Sequence, residues 1–185
     1  MANELNGLRV AALVAEGFEQ VELTGPRDAL VAAGATVTLV SPERGKVQGF
    51  NHHDRADIFP VDAALDSVRP TDFDALLLPG GALNPDTLRT IPEAVAFVKS
   101  FFDERKPVAA ICHASWTLIE ADVVRGRTLT SWPSVATDLR NAGAKWVDRE
   151  VVVDEHLVTS RKPDDIPAFN AKMIEIFAKA RVEAH

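Results

Sequence analysis

Cysteine is almost absent from this 185-residue chain: Cys112 is the only one. A lone cysteine cannot close an internal disulfide, so a reducing, cytoplasmic setting is the expectation. Positive charge is also in short supply, with 20 Lys and Arg against 27 Asp and Glu and a net charge of −7. No basic cluster offers itself to a phosphate backbone, which argues against a nucleic-acid partner. No apolar run approaches the length of a membrane span, so no membrane partner is expected. The apolar stretch from Val10 to Ala15 stops at Glu16 with no small-residue cleavage site after it, so it does not read as a signal peptide. Repeats and low-complexity tracts are missing, and no Gly-x-Ser-x-Gly elbow exists to support a serine hydrolase. Metal-ligand spacing is missing too. His52 and His53 are adjacent, and neighbours on a strand face opposite sides, so they do not converge on one ion. No cofactor is expected: where a flavodoxin would place a phosphate-binding loop, after the first strand, this chain has Glu16 and Glu19, which repel phosphate.

What is present reads as an ordinary globule, 46% hydrophobic and 25% charged, long enough for one domain over residues 1–185. Short apolar runs at Leu8 to Ala15, Ala35 to Val40, Asp74 to Leu78 and Pro107 to Ile111 have the character of strands buried on both faces. Between the first two, Thr24 and Pro26 suggest a helix cap and first turn, with the helix running through Ala33 and ending at Gly34. Residues 45–62 suggest a hairpin or edge strands around Asn51-His52-His53-Asp54, with Pro60 excluding a central position. A helix is expected from Pro92 to about Arg105. Another short one follows Ser131-Trp132-Pro133, and a closing amphipathic helix runs from Pro163 to about Lys179. Alternating strands and helices imply an α/β sandwich with a mainly parallel sheet, whose ligand site lies off the carboxyl ends of the strands.

Three strand exits then converge. Cys112 and His113 follow an apolar strand and precede a segment with helical spacing, so the free N–H groups of a helix start face the cysteine and favour its thiolate. Gly80-Gly81 ends another strand, where unsubstituted backbone can turn its N–H groups towards a ligand or oxyanion. Glu16 and Glu19 crowd the third exit. A lone cysteine after a strand is commonly a small buried hydrophobe; the convergence is what argues for a site.

These stretches resemble the ThiJ/PfpI superfamily, in its PfpI-type branch. The resemblance runs through Glu16 to Leu23, Leu78-Pro79-Gly80-Gly81, Ala110-Ile111-Cys112-His113, Val123 to Arg127, Thr130-Ser131-Trp132-Pro133, Ala142-Gly143-Ala144, Trp146-Val147-Asp148 and Ser160-Arg161. It implies a flavodoxin-like three-layer α/β/α sandwich with Cys112 as nucleophile on a strained elbow. It further implies Glu19 as the carboxyl partner of the sulfur; if the two lie side by side, two anions would repel, so that carboxyl is expected to be protonated. His113 would be the base, and the N–H groups of Gly81 and His113 the oxyanion hole. Relatives associate at least as dimers and place an acidic residue from a neighbouring subunit beside the histidine. Asp86 is the nearest match, one residue further from the glycine pair and shorter than the usual Glu. The family's Cys-His-Gly-Pro continues here as Ala114-Ser115-Trp116, and Trp132 stands in place of a frequent tyrosine.

The resemblance implies a cysteine-dependent stress protein acting on reactive carbonyl adducts (glyoxalase III or deglycase chemistry) or on peptides. A redox-sensing or chaperone-like protein, whose cysteine is oxidised without turnover, is the alternative. A binding module that has lost catalysis is less well matched, since Cys112, His113, Glu19 and Gly81 are all in place.

Overall fold

A computed structural model describes residues 3–184. In chain order its elements are β1 (Arg9–Leu13), β2 (Phe18–Glu19), α1 (Gln20–Ala32), β3 (Thr36–Ser41), β4 (Lys46–Asn51), β5 (Asp54–Pro60), β6 (Ala63–Ala64), β7 (Ala75–Leu78), α2 (Leu83–Leu88) and α3 (Pro92–Asp103). They continue with β8 (Val108–Ile111), α4 (Ser115–Glu120), β9 (Thr128–Leu129), α5 (Ala136–Asn141), β10 (Lys145–Trp146), β11 (Val151–Asp154), β12 (Leu157–Ser160) and α6 (Ile166–Glu183).

The central sheet has seven strands in the order β11-β12-β8-β7-β1-β3-β6. All its pairs are parallel except β11 with β12. Taken alone, β1, β3, β7, β8 and β12 follow the flavodoxin-like order, with the switch point between β1 and β7. Strand side chains alternate between two apolar layers, as period two requires. Ala11, Leu13, Leu76, Leu78, Val108 and Ala110 pack on one face with Phe97, Val98 and Phe101 of α3, Leu118 of α4 and Leu139 of α5. Val10, Ala12, Ala75, Leu77, Ala109 and Ile111 pack on the other with Leu23 and Leu30 of α1 and Phe169, Met173 and Phe177 of α6. The flavodoxin-like α/β/α sandwich is therefore present. The 45–62 hairpin forms as well: β4 and β5 pair antiparallel, with His52-His53 at the turn, and add β2 to make a small second sheet.

The first helix departs from its expected start. It begins at Gln20, and Pro26 lies inside it. Thr24 is not a cap; its hydroxyl donates back to the Gln20 carbonyl at 3.2 Å. Burial explains the longer helix. Glu22, Leu23, Pro26 and Leu30 form one inward stripe at three- and four-residue spacing, and packing that stripe outweighs the hydrogen bond that Pro26 cannot donate.

One buried side chain ties two strand exits together. The Asn84 Oδ1 accepts from the Ala15 N–H at 2.7 Å, while its Nδ2 donates to the carbonyls of Pro79 (3.0 Å) and Gly80 (3.1 Å). Asn84 is fully buried, so these backbone groups have no water to replace it. Asn84→Ala is expected to lower stability by about 2–4 kcal/mol and to loosen the Pro79-Gly80 turn. Urea unfolding with an unchanged m-value would check the first effect, and amide exchange at Gly80 and Gly81 the second.

Candidate active site

β8 carries Ile111 towards the α1/α6 layer, and strict alternation would send residue 112 to the opposite face. The backbone at Cys112 instead takes φ = 64°, a left-handed conformation costly for a residue with a Cβ. This turn leaves Cys112 in the same apolar layer as Ile111. It also aims the thiol at the end of α1. The carbonyl freed by the turn accepts the Trp132 N–H at 3.2 Å.

Gly80 makes room for that conformation. A Cβ there would stand 2.6 Å from Glu22 Oε1, 2.7 Å from the Cys112 Cβ and 2.7 Å from the Ile111 carbonyl. Gly81, at φ = 80°, lies equally close to the backbone of Gly17 and Glu19. The ends of β1, β7 and β8 are thus in backbone contact. The N–H groups of Gly81 and His113 both face the Cys112 sulfur. Sulfur, the two N–H donors and the imidazole lie together at these strand exits.

The carboxyl beside the sulfur is that of Glu22, not Glu19. Glu22 is fully buried; its Oε1 accepts the Gly80 N–H at 3.0 Å and the carboxyl faces the Cys112 thiol. Glu19 leans the other way, accepting the His52 N–H at 3.1 Å and approaching His52 Nδ1 at 3.8 Å, so it braces the hairpin turn. It reaches the sulfur only through longer-range repulsion. The early start of α1 is the reason. It puts Glu22 on the inward stripe of the first turn and leaves Glu19 at the N-cap. The spacing Glu22-Pro26-Leu30 is the signal that could have identified it.

Asp86 is not brought to His113 within the chain. It stands exposed on α2 and its carboxyl makes no hydrogen bond or ion pair among the described residues. His113 has its Nδ1 3.2 Å from the Cys112 sulfur. Its ring stacks on Trp132 (5.8 Å between centroids, 23° between planes) and meets Trp116 edge-on (5.0 Å, 64°). Above this group opens a cavity of about 770 Å³, walled by Phe50, His52, Leu83, Trp132 and Pro163. Among the described residues no group of three His, Cys, Asp or Glu side chains is placed to hold a metal ion.

Electrostatics correct a further expectation, that of a readily ionised thiol. Burial first, and the Glu22 carboxylate second, push the Cys112 thiol up; the N–H groups of Gly81 and His113 oppose them without prevailing. Burial likewise raises Glu22 to about 8, with repulsion from Glu19 adding to it. Burial lowers His113, which keeps its imidazole neutral. At neutral pH the resting group is therefore a thiol, a carboxylic acid and a neutral imidazole, able to pass one proton among them.

This carries a pH dependence. Glu22 has a folded value near 8 against an ordinary value of 4.5. The folded chain therefore keeps a proton that the unfolded chain loses, and stability falls as pH rises between these values. The upper limit of that loss is about 5 kcal/mol, at about 1.4 kcal/mol per pH unit. Glu22→Gln removes the titration. Its thermal stability relative to wild type should rise from pH 5 to pH 8 and then level off. A difference independent of pH would exclude the buried acid.

Known proteins resemble this chain over most of its length. The DJ-1/PfpI family pattern matches residues 8–176. General stress protein 18 of Bacillus subtilis is 45% identical over 175 residues, spanning 94% of this chain and 99% of the relative. Protein/nucleic acid deglycase 2 of Escherichia coli is 45% identical over 169 residues, spanning 91% of this chain and 96% of the relative. Among solved structures, Drosophila melanogaster DJ-1beta is 30% identical with a TM-score of 0.83, over 92% of this chain and 90% of that one. This chain belongs to the DJ-1/PfpI family.

Proposed function

We propose that this protein is a cysteine-dependent enzyme acting on reactive carbonyl compounds, of the glyoxalase III or deglycase kind, with Cys112 as nucleophile and His113 as base. The observation that carries the reading is the 3.2 Å approach of the Cys112 sulfur to His113 Nδ1, beneath an open cavity and beside two backbone N–H donors. A thiol held un-ionised by burial needs a base at the moment of attack, and a neutral imidazole at that distance is one.

The chemistry follows from the placement. The sulfur adds to the aldehyde carbon of a 2-oxoaldehyde, the thiol proton passes to Nδ1, and the former carbonyl oxygen takes the charge. The N–H groups of Gly81 and His113 are the nearest donors for it. Transfer of the C1 hydrogen, as a proton, to C2 gives a thioester, and water releases a 2-hydroxy acid and the free thiol. Glu22, as the protonated acid, donates towards the sulfur and steadies the negative charge it carries in passing. Cys112 is only 6% exposed at the floor of the cavity, which suits a small electrophile or a side-chain adduct reaching in. The name of the Escherichia coli relative, a deglycase, supports the same class.

Methylglyoxal consumption with lactate formation is the direct assay. Cys112→Ser should lose at least about 100-fold in kcat/KM, and His113→Ala about 100-fold or more, with the fold retained in both. Wild-type rates in Cys112→Ser would overturn the reading.

A further inference from the structure

His113 sits where a catalytic imidazole would need a partner to hold its ring, yet no carboxylate among the described residues hydrogen-bonds to it. Among the described residues, the hydrogen-bond contact of its ring is with the Cys112 sulfur, through Nδ1. Two indoles occupy the remaining faces, and neither is loosely placed.

Trp132 is fixed through its backbone. Its N–H donates to the Cys112 carbonyl at 3.2 Å, and its own carbonyl accepts from the buried Ser131 hydroxyl at 2.9 Å. That hydroxyl in turn accepts the Trp146 indole N–H at 3.0 Å, and Arg140 covers the Trp146 ring at 5.4 Å. One residue earlier, the Thr130 N–H donates to Thr159 Oγ1 on β12 at 3.0 Å. Trp116 is fixed through its side chain: the indole N–H donates to Asp138 at 3.0 Å, and Arg89 lies over the ring at 5.9 Å.

We propose that Trp132 is a positioning residue that holds the His113 imidazole by offset stacking and favours its protonated form. The proposal rests on the reading of His113 as the base. The face of an indole is the negative end of its quadrupole, so a cation over it is attracted where a neutral ring gains only dispersion. Trp116 presents a tilted arrangement and acts mainly to stop the imidazole from swinging away. The pair does by packing and polarisation what a carboxylate does elsewhere by charge. The resting ring is kept neutral by burial, and the stack acts against that burial.

The charged and titratable groups around the imidazole are few. Cys112 adjoins it, Glu22 and Glu19 face the cavity from the start of α1, and His52 and His53 face it from the hairpin turn. Arg89 and Asp138 lie behind Trp116. Substitution at Trp132 leaves all of them in place. The side chain is 37% exposed, so its removal does not open the core.

The test is an NMR titration of the imidazoles, with the His113 resonance among the five histidines assigned through His113→Asn. Removal of the stacking face in Trp132→Leu should lower the His113 midpoint by about half a unit to one unit. Trp132→Phe, which restores an aromatic face of weaker quadrupole, should recover part of the shift. The same series on a Cys112→Ala background reads the effect without turnover. A midpoint unmoved in Trp132→Leu, or equal in the Leu and Phe variants, would overturn the proposal even in a fully active enzyme. The expected ordering in a protein that turns nothing over would uphold the stacking and count against the enzymatic reading alone.

Discussion

The site depends on one backbone conformation. A left-handed residue with a side chain costs about 1–2 kcal/mol, and Cys112 takes that conformation at the end of a strand buried on both faces. The consequence is geometric. Without the turn, the thiol would follow strand alternation into the α3/α4 layer, away from Glu22. With it, the thiol lies beside the start of α1, under the N–H groups of Gly81 and His113. Neighbouring contacts keep the turn in place. Gly80 leaves space that no other residue could leave, Trp132 satisfies the displaced carbonyl, and Asn84 holds the Pro79-Gly80 turn against the exit of β1. Because these contacts come from three strand exits, the elbow is determined by the sheet as a whole and not by the local sequence.

Burial then sets the chemistry. A thiol and a carboxyl taken out of water both prefer their neutral forms, and each anion would raise the other further. An imidazole in the same surroundings also prefers to be neutral. Such a group is poised for proton transfer and carries little charge at rest. This differs from a cysteine activated by a helix terminus alone, where the resting form would be a thiolate and alkylation would be fast at neutral pH. Helix α4 is short and is preceded by a single 3₁₀ turn at Cys112–Ala114, so little dipole is available to offset the desolvation.

The wall residues Phe50, His52, Leu83, Trp132 and Pro163 lie outside the two apolar layers. Glu19 connects the buried floor to the His52-His53 turn, and Phe18, Val47 and Phe59 pack the small β2-β4-β5 sheet against the apolar layer that holds Cys112. Opposite it stands the Trp132 loop, anchored through Ser131, Trp146 and Thr159. These two walls of the cavity can change with little disturbance to the parallel sheet.

Much of this was readable in the residues alone. Apolar runs of four to six residues identified β1, β3, β7 and β8, because a strand covered on both faces has no polar side to interrupt it. The glycine pair and the lone cysteine marked two strand exits, and the His52-His53 hairpin followed from its flanking β-type residues and Pro60. Local signals misled at α1, where Thr24 and Pro26 look like a helix start. The inward stripe Glu22, Leu23, Pro26 and Leu30 gains more from burial than Pro26 costs, and only packing against the sheet and α6 supplies that gain. That shift of one turn decides which glutamate meets the sulfur. Asp86 carries no local mark of where α2 points, and its distance from His113 is set by the packing of α2. The protonation of Cys112 was likewise beyond the sequence, because a helix start favours the thiolate while burial opposes it. Residue identities fixed which groups were available; their depth beneath the surface, a property of the assembled sandwich, decided which of them hold a proton.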